Sequence, residues 1–242
     1  MRILIVGAQK AGNVWLRCLL AEAYDLRILS HKEKPEKPPG LHTFKEWVAM
    51  GGFPDGTIIH QHYSYSPELA DAVSAVPAHI VTIVRDPYDL FVSYYYAVQH
   101  RRGRLERRGT GFQRDLLIEK PLDHPNVLQY LQEGGERQHM TLPLGWMKSG
   151  RTAVIRYEDL HRDTNAALAR LVQSLEPVPE QTLERTVEAC SVENMKKMEV
   201  VRPNHIRAAK VGESRDLLDE VHLAVFRKRY AHLIRDLGYT VR

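Results

Sequence analysis

Cysteine is scarce. Cys18 and Cys190 are the only two in 242 residues, and they stand in unrelated contexts. That excludes a dense disulfide scaffold and a four-cysteine zinc site, and makes reduced thiols in a cytoplasmic setting the expectation. Long apolar runs are missing too. Ile3-Leu4-Ile5-Val6 is too short for the core of a signal peptide and runs straight into Gly7. No stretch approaches the roughly 20 apolar residues that span a bilayer, so a cytoplasmic protein with no membrane partner is expected. Nor is there a large excess of one charge. The formal net charge of +4 suits an anionic ligand without demanding nucleic acid. What remains is ordinary: 43% hydrophobic and 26% charged residues describe a globular chain able to bury a sizeable core. No internal repeat and no dividing linker is visible, so residues 1–242 read as a single domain.

Continuous apolar runs with β-branched residues mark strands buried on both faces of a parallel sheet. Ile3 to Val6, Thr57 to His62, Ile80 to Val84 and Ala153 to Arg156 fit that pattern, and Leu26 to Leu29 is a shorter candidate. Between them run helical patterns. One opens at Asn13, one follows Arg85-Asp86-Pro87, and one opens at Ser66-Pro67 with a serine cap and proline at the first helical position. Residues from Thr164 to Leu175, Pro179 to Cys190 and Asp219 to Leu237 also read as helices, the last stopped by Gly238. Residues 31–40, with three prolines, read as a surface loop. Alternating strands and helices predict an α/β fold, a three-layer parallel sheet flanked by helices.

The loop Gly7-Ala8-Gln9-Lys10-Ala11-Gly12 lies between the first strand and the first helix. Free backbone N–H groups and the positive end of the helix dipole there favour an anion such as phosphate. The glycine spacing is that of a P-loop, but Asn13-Val14 stands where Lys-Ser/Thr belongs. The hydroxyl that would hold Mg²⁺ is therefore missing, which speaks against a magnesium-dependent ATPase or GTPase. A tight glycine turn with a solvated Lys10 is the plainer alternative.

Lys10-Ala11-Gly12-Asn13-Val14-Trp15-Leu16-Arg17 resembles the donor loop of the sulfotransferases that use PAPS (3′-phosphoadenosine 5′-phosphosulfate). It looks nearest to the bacterial members that act on small molecules. Three further segments match that family in order. Val84-Arg85-Asp86-Pro87-Tyr88-Asp89 followed by Val92-Ser93-Tyr94-Tyr95 resembles its 3′-phosphate motif. Arg156-Tyr157-Glu158-Asp159 with the segment from Ser191 to Met195 resembles its adenine-side elements. Arg207-Ala208-Ala209-Lys210-Val211-Gly212-Glu213 resembles its C-terminal phosphate loop. The resemblance implies a P-loop NTPase-like sulfotransferase fold and transfer of a sulfuryl group from PAPS to an acceptor hydroxyl, without a metal. It implies that Gln9, Lys10, Ala11, Gly12, Asn13 and Val14 hold the 5′ end, with Lys10 stabilising the leaving oxygen. Trp15, Tyr157 and Ser191 then lie about the adenine, and Arg85, Ser93, Arg207, Ala208 and Ala209 take the 3′-phosphate. Arg85 offers a planar fork of donors suited to phosphate, and Ser93 follows one to two helical turns on, roughly.

An acceptor hydroxyl benefits from a general base with a pKa near neutrality, the range of histidine. The family places one at the end of the strand before the 3′-phosphate motif. Here His60 and His62 compete, and since residues two apart in a strand share a face both can line one pocket. Alignment favours His62 as base, with His60 as an orienting neighbour or substitute. A metal pair lacks an evident third ligand. The arginine run from Arg101 to Arg108 is either a solvated loop or an acceptor-site lid for an acidic substrate; it lacks the aromatic interleaving of single-strand binders, so nucleic acid is not an expected partner. A P-loop-type nucleotide kinase and a non-enzymatic adenosine-bisphosphate-binding module are the competing readings. The acceptor, a small molecule or a glycan, and the oligomeric state, a homodimer included, stay open.

Overall fold

Successive apolar residues in a strand must be buried on two faces at once, because neighbours point to opposite sides. Residues 3–6 meet that demand in the computed structural model, which describes residues 1–29, 33, 41–99, 114–198 and 209–242. Strand β1 (Arg2–Gly7) lies in the middle of a five-stranded sheet. Its Ile3 and Ile5 pack into one core cluster and its Leu4 and Val6 into another. The other strands are β2 (Arg27–Ile28), β3 (Thr57–Gln61), β4 (His79–Val84) and β5 (Ala153–Arg156). The order is β2-β3-β1-β4-β5 and every pairing is parallel. This is the helix-flanked parallel α/β sheet that the alternation of patterns predicts. β1 hydrogen-bonds to β3 on one side and β4 on the other. The strand order therefore reverses at β1, and the crevice beyond its C-terminal end is where open sheets of this kind bind ligands.

Helices α1 (Asn13–Ala23) and α2 (Leu41–Ala49) precede and follow β2. Helix α3 (Pro67–Ser74) starts where serine and proline predict, with Ser66 Oγ accepting from Leu69 N at 3.2 Å. Helix α4 (Pro87–Gln99) is begun by Asp86, whose Oδ1 accepts from Tyr88 N at 2.8 Å and Asp89 N at 3.2 Å. Then come α5 (Pro125–Gln132), α6 (Arg137–Ser149), α7 (Tyr157–Arg162), α8 (Thr164–Gln173), α9 (Glu180–Ala189), α10 (Val192–Lys197), α11 (Ser214–Leu217) and α12 (Glu220–Asp236). Asp163, Ser191 and Asp219 cap α8, α10 and α12 through their side chains. Gly238 follows α12 at φ 78°, a left-handed stop.

Helices α2, α5 and α6 fall in segments where the sequence pattern assigned none. Helix α6 carries Pro143 inside it and Gly145 two residues on, both of which read as breakers in isolation. Packing explains the glycine. A Cβ at Gly145 would sit 3.0 Å from Tyr65 Cβ, so its absence lets the helix approach that side chain. Next to it Trp146 is fully buried and donates from Nε1 to the Tyr63 carbonyl at 2.8 Å. The proline-rich stretch and the Arg101–Arg108 run fall outside the described residues, Glu33 apart.

Candidate active site

The loop after β1 is shaped by two residues at positive φ. Lys10 has φ 67° and Gly12 has φ 104°, and α1 begins immediately after. A left-handed lysine is strained backbone, of the kind that gathers at functional sites. Gly12 also makes room. A Cβ there would lie 2.7 Å from Tyr157 Cδ2, so the tyrosine ring of α7 rests on the space a side chain would fill. Asn13 folds back and donates from Nδ2 to the Ala8 carbonyl at 2.7 Å.

At this crevice lies a cavity of about 400 Å³. Gln9, Lys10, Gly12, Asn13, Val14 and Trp15 line it, as do His60 and His62 at the end of β3. Arg85 and Ser93, after β4, line it too, as do Tyr157, Ser191 and Ala209. Ala11 does not line the cavity. Its side chain is buried in the core, so it serves the loop through backbone and packing. Arg207 and Ala208 fall outside the described residues.

Arg85 ties three segments together. Its Nη1 donates to the Lys10 carbonyl and its Nη2 to the Lys210 carbonyl, both at 3.0 Å. Its guanidinium lies 4.2 Å from the centre of the Tyr157 ring, a cation–π contact. Among the described residues its Nε is buried without a partner. The segment from Ala209 to Ser214 is pinned further. The Ala209 carbonyl lies 2.8 Å from His161 Nε2. Asp89 on α4, itself buried, accepts from Gly212 N at 2.5 Å and Ser214 N at 3.0 Å. The start of α4 is fixed to α7 in turn, because Glu158 Oε1 accepts from Asp86 N at 2.8 Å. Trp15 meets Tyr157 edge-on at 6.0 Å and donates to the Cys190 carbonyl at 3.2 Å.

The two histidines are held differently. His60 Nδ1 lies 2.9 Å from Nη1 of Arg17, a group with donors only, so that nitrogen accepts. His62 Nδ1 lies 2.7 Å from the Gly7 carbonyl, which only accepts, so that nitrogen donates. Burial pushes the Tyr157 hydroxyl upward while the Arg85 cation pulls it back. Burial pushes the Cys190 thiol up to about 12, with Cys18 and Glu22 adding to the rise. Among the described residues, no group of three or more His, Cys, Asp or Glu could hold a metal ion.

Sequence reasoning missed His161, Thr164, Val187 and Cys190, which also line the cavity. His161 was within reach, since it lies one helical turn after Tyr157 on the same face. The others depend on how α8 and α9 pack beside α1, which local pattern does not reveal.

A family model described as the sulfotransferase domain matches residues 1–238, and the chain belongs to that family. One curated relative is cytosolic sulfotransferase 13 of Arabidopsis thaliana, 23% identical over 216 residues. The match covers 82% of this chain and 63% of that relative's length. Among solved structures, mouse sulfotransferase SULT7A1 complexed with PAP superposes with a TM-score of 0.70 at 18% identity, covering 97% of this chain and 84% of that one. Retinol dehydratase in complex with androsterone and inactive cofactor PAP gives 0.60 at 15% identity, covering 100% and 82%. The sulfotransferase domain from the curacin biosynthetic pathway gives 0.52 at 15%, covering 99% and 98%. These likenesses agree with the sheet described above. Among the described residues, no helix is long and apolar enough to cross a membrane.

Proposed function

We propose that this chain transfers a sulfuryl group from PAPS to a hydroxyl of a small-molecule or glycan acceptor. The observation that carries the proposal is one cavity lined both by the loop around Lys10 and by Arg85 with Ser93. A nucleotide phosphorylated at the 3′ and 5′ positions of one ribose needs two sets of phosphate ligands facing a common space, and the Lys10 loop and Arg85 with Ser93 line a single cavity. Arg85 Nε is a buried donor with no partner among the described residues, a condition that costs about 1–3 kcal/mol and that a bound phosphate would relieve.

PAPS, when bound, supplies the sulfuryl group. The loop amides and Lys10 hold its 5′ end, and the Lys10 ammonium stabilises charge on the leaving oxygen. Arg85, Ser93 and the 207–209 segment take the 3′-phosphate. Trp15 and Tyr157, set edge-on, flank the adenine, with Ser191 beside them. With its Nδ1–H spent on the Gly7 carbonyl, neutral His62 carries its lone pair on Nε2, the form a general base requires.

The test is transfer of ³⁵S from labelled PAPS to a panel of phenols, steroids and sugars. Wild type should label at least one class. Lys10→Ala and His62→Ala should each lower turnover by about 10²- to 10⁴-fold while remaining folded by circular dichroism. Normal sulfation by a folded His62→Ala variant would move the base role to His60 or elsewhere.

A further inference from the structure

Arg17 is a charged side chain on the buried face of α1, only 5% exposed. Among the described residues no carboxylate pairs with it, and its Nε is buried without a partner. Burying a cation away from a counter-charge is costly, so what this one contacts matters. Its Nη1 donates to Nδ1 of His60 at 2.9 Å. His60 lines the cavity and Arg17 does not, so the imidazole stands between the guanidinium and the ligand space.

The consequence follows from donor and acceptor chemistry alone. A guanidinium has five N–H donors and no acceptor. While it holds Nδ1 of His60, that nitrogen must present a lone pair, and the single proton of the neutral ring sits on Nε2. The Gly7 carbonyl imposes the opposite tautomer on His62. The two rings are 5.9 Å apart and tilted by 63°, close neighbours with opposite assignments. One ring offers an N–H where the other offers a lone pair.

We infer that Arg17 is a positioning residue that fixes His60 as an N–H donor toward the transferred group and leaves His62 as the only base of the pair. The inference rests on the sulfotransferase reading above. In this arrangement His60 stabilises negative charge spreading over the sulfuryl oxygens, and the Arg17 cation behind it strengthens that donor. The two histidines therefore have different roles.

Long-range ¹H–¹⁵N correlation spectra of the ligand-free protein report which ring nitrogen carries the proton. The expected result is Nε2–H for His60 and Nδ1–H for His62. Arg17→Met keeps side-chain length and removes the charge, and Arg17→Lys keeps a donor. In Arg17→Met, His60 should become a tautomer mixture, and kcat should fall about 10- to 100-fold, part of the loss seen when an oxyanion donor is deleted. Affinity for adenosine 3′,5′-bisphosphate should stay within about twofold, because Arg17 does not line the cavity, and Arg17→Lys should recover part of kcat. A folded Arg17→Met variant with wild-type kcat, or a wild-type His60 protonated at Nδ1, overturns the inference. Should Arg17→Met not fold, the wild-type spectrum decides alone. Wild-type protein that neither binds the bisphosphate nor transfers sulfate would instead refute the sulfotransferase reading, whatever the tautomers.

Discussion

Replacing Gly12 by alanine tests the loop geometry and the tyrosine contact together. The backbone there has φ 104° and ψ 11°, and holding a residue with a Cβ in the left-handed region costs about 1–2 kcal/mol. The new Cβ would also lie 2.7 Å and 3.2 Å from two carbons of the Tyr157 ring and 3.1 Å from Ile83 Cδ1. The ring is rigid, 5% exposed, and held between Arg85 and Trp15, so it cannot swing away freely. Overpacking of this sort adds about 1–3 kcal/mol. Each kcal/mol lowers Tm by about 2–4 °C in a chain of this size, so the melting temperature should fall by about 4–20 °C. Calorimetry should also find weaker binding of adenosine 3′,5′-bisphosphate, since Tyr157 is displaced against the cavity. A cycle with Tyr157→Leu isolates the contact: the double variant should regain about 1–3 kcal/mol relative to additivity and keep the backbone cost. A Gly12→Ala protein that melts within about 1 °C of its parent would refute the reasoning.

Arg85→Met should weaken adenosine 3′,5′-bisphosphate by about 10- to 150-fold, the range for hydrogen bonds made by a charged group. It should bind adenosine 5′-phosphosulfate, which lacks the 3′-phosphate, nearly as wild type does; an unchanged preference for the 3′-phosphate would remove Arg85 from that site. Cys190, with its thiol pushed up to about 12, should be almost inert to iodoacetamide at pH 8. Only about one thiol in 10⁴ is then ionised, against about one in four at the ordinary pKa of 8.5, and alkylation at the rate of a free cysteine would contradict this. The same burial ties the thiol to pH-dependent stability. Its folded pKa lies above the unfolded one, so that contribution is whole below about pH 8.5 and is lost as pH rises toward 12, which denaturant midpoints between pH 7 and 10 should follow.

The parts of the fold that sequence reveals are those whose cause is local. Ile3 to Val6 declares a strand buried on both faces, Ser66-Pro67 declares a helix start, and the glycine loop must lie between β1 and α1. The α6 segment is hidden because its cause is distant. Pro143 and Gly145 look like breakers until Tyr65, far away in the chain, supplies the reason for a residue without a side chain. The site divides the same way. Lys10, Arg85 and Tyr157 sit at strand ends within motifs, where a pattern search finds them. Arg17 ends the donor-loop motif in the sequence, where nothing assigns it a role. Its meaning comes from β3 bringing His60 within 2.9 Å, a juxtaposition that exists only once the sheet is assembled. His161 and Asp89 act on the 209–214 segment across long separations in the same manner.

One titration bears most directly on the claim that a single cavity receives a nucleotide phosphorylated at both its 3′ and 5′ positions. Isothermal calorimetry should compare adenosine 3′,5′-bisphosphate in EDTA with ATP in Mg²⁺. Tighter binding of the bisphosphate by at least about tenfold, equivalent to about 1.4 kcal/mol, is the predicted result. ATP with Mg²⁺ binding as well or better would contradict the account.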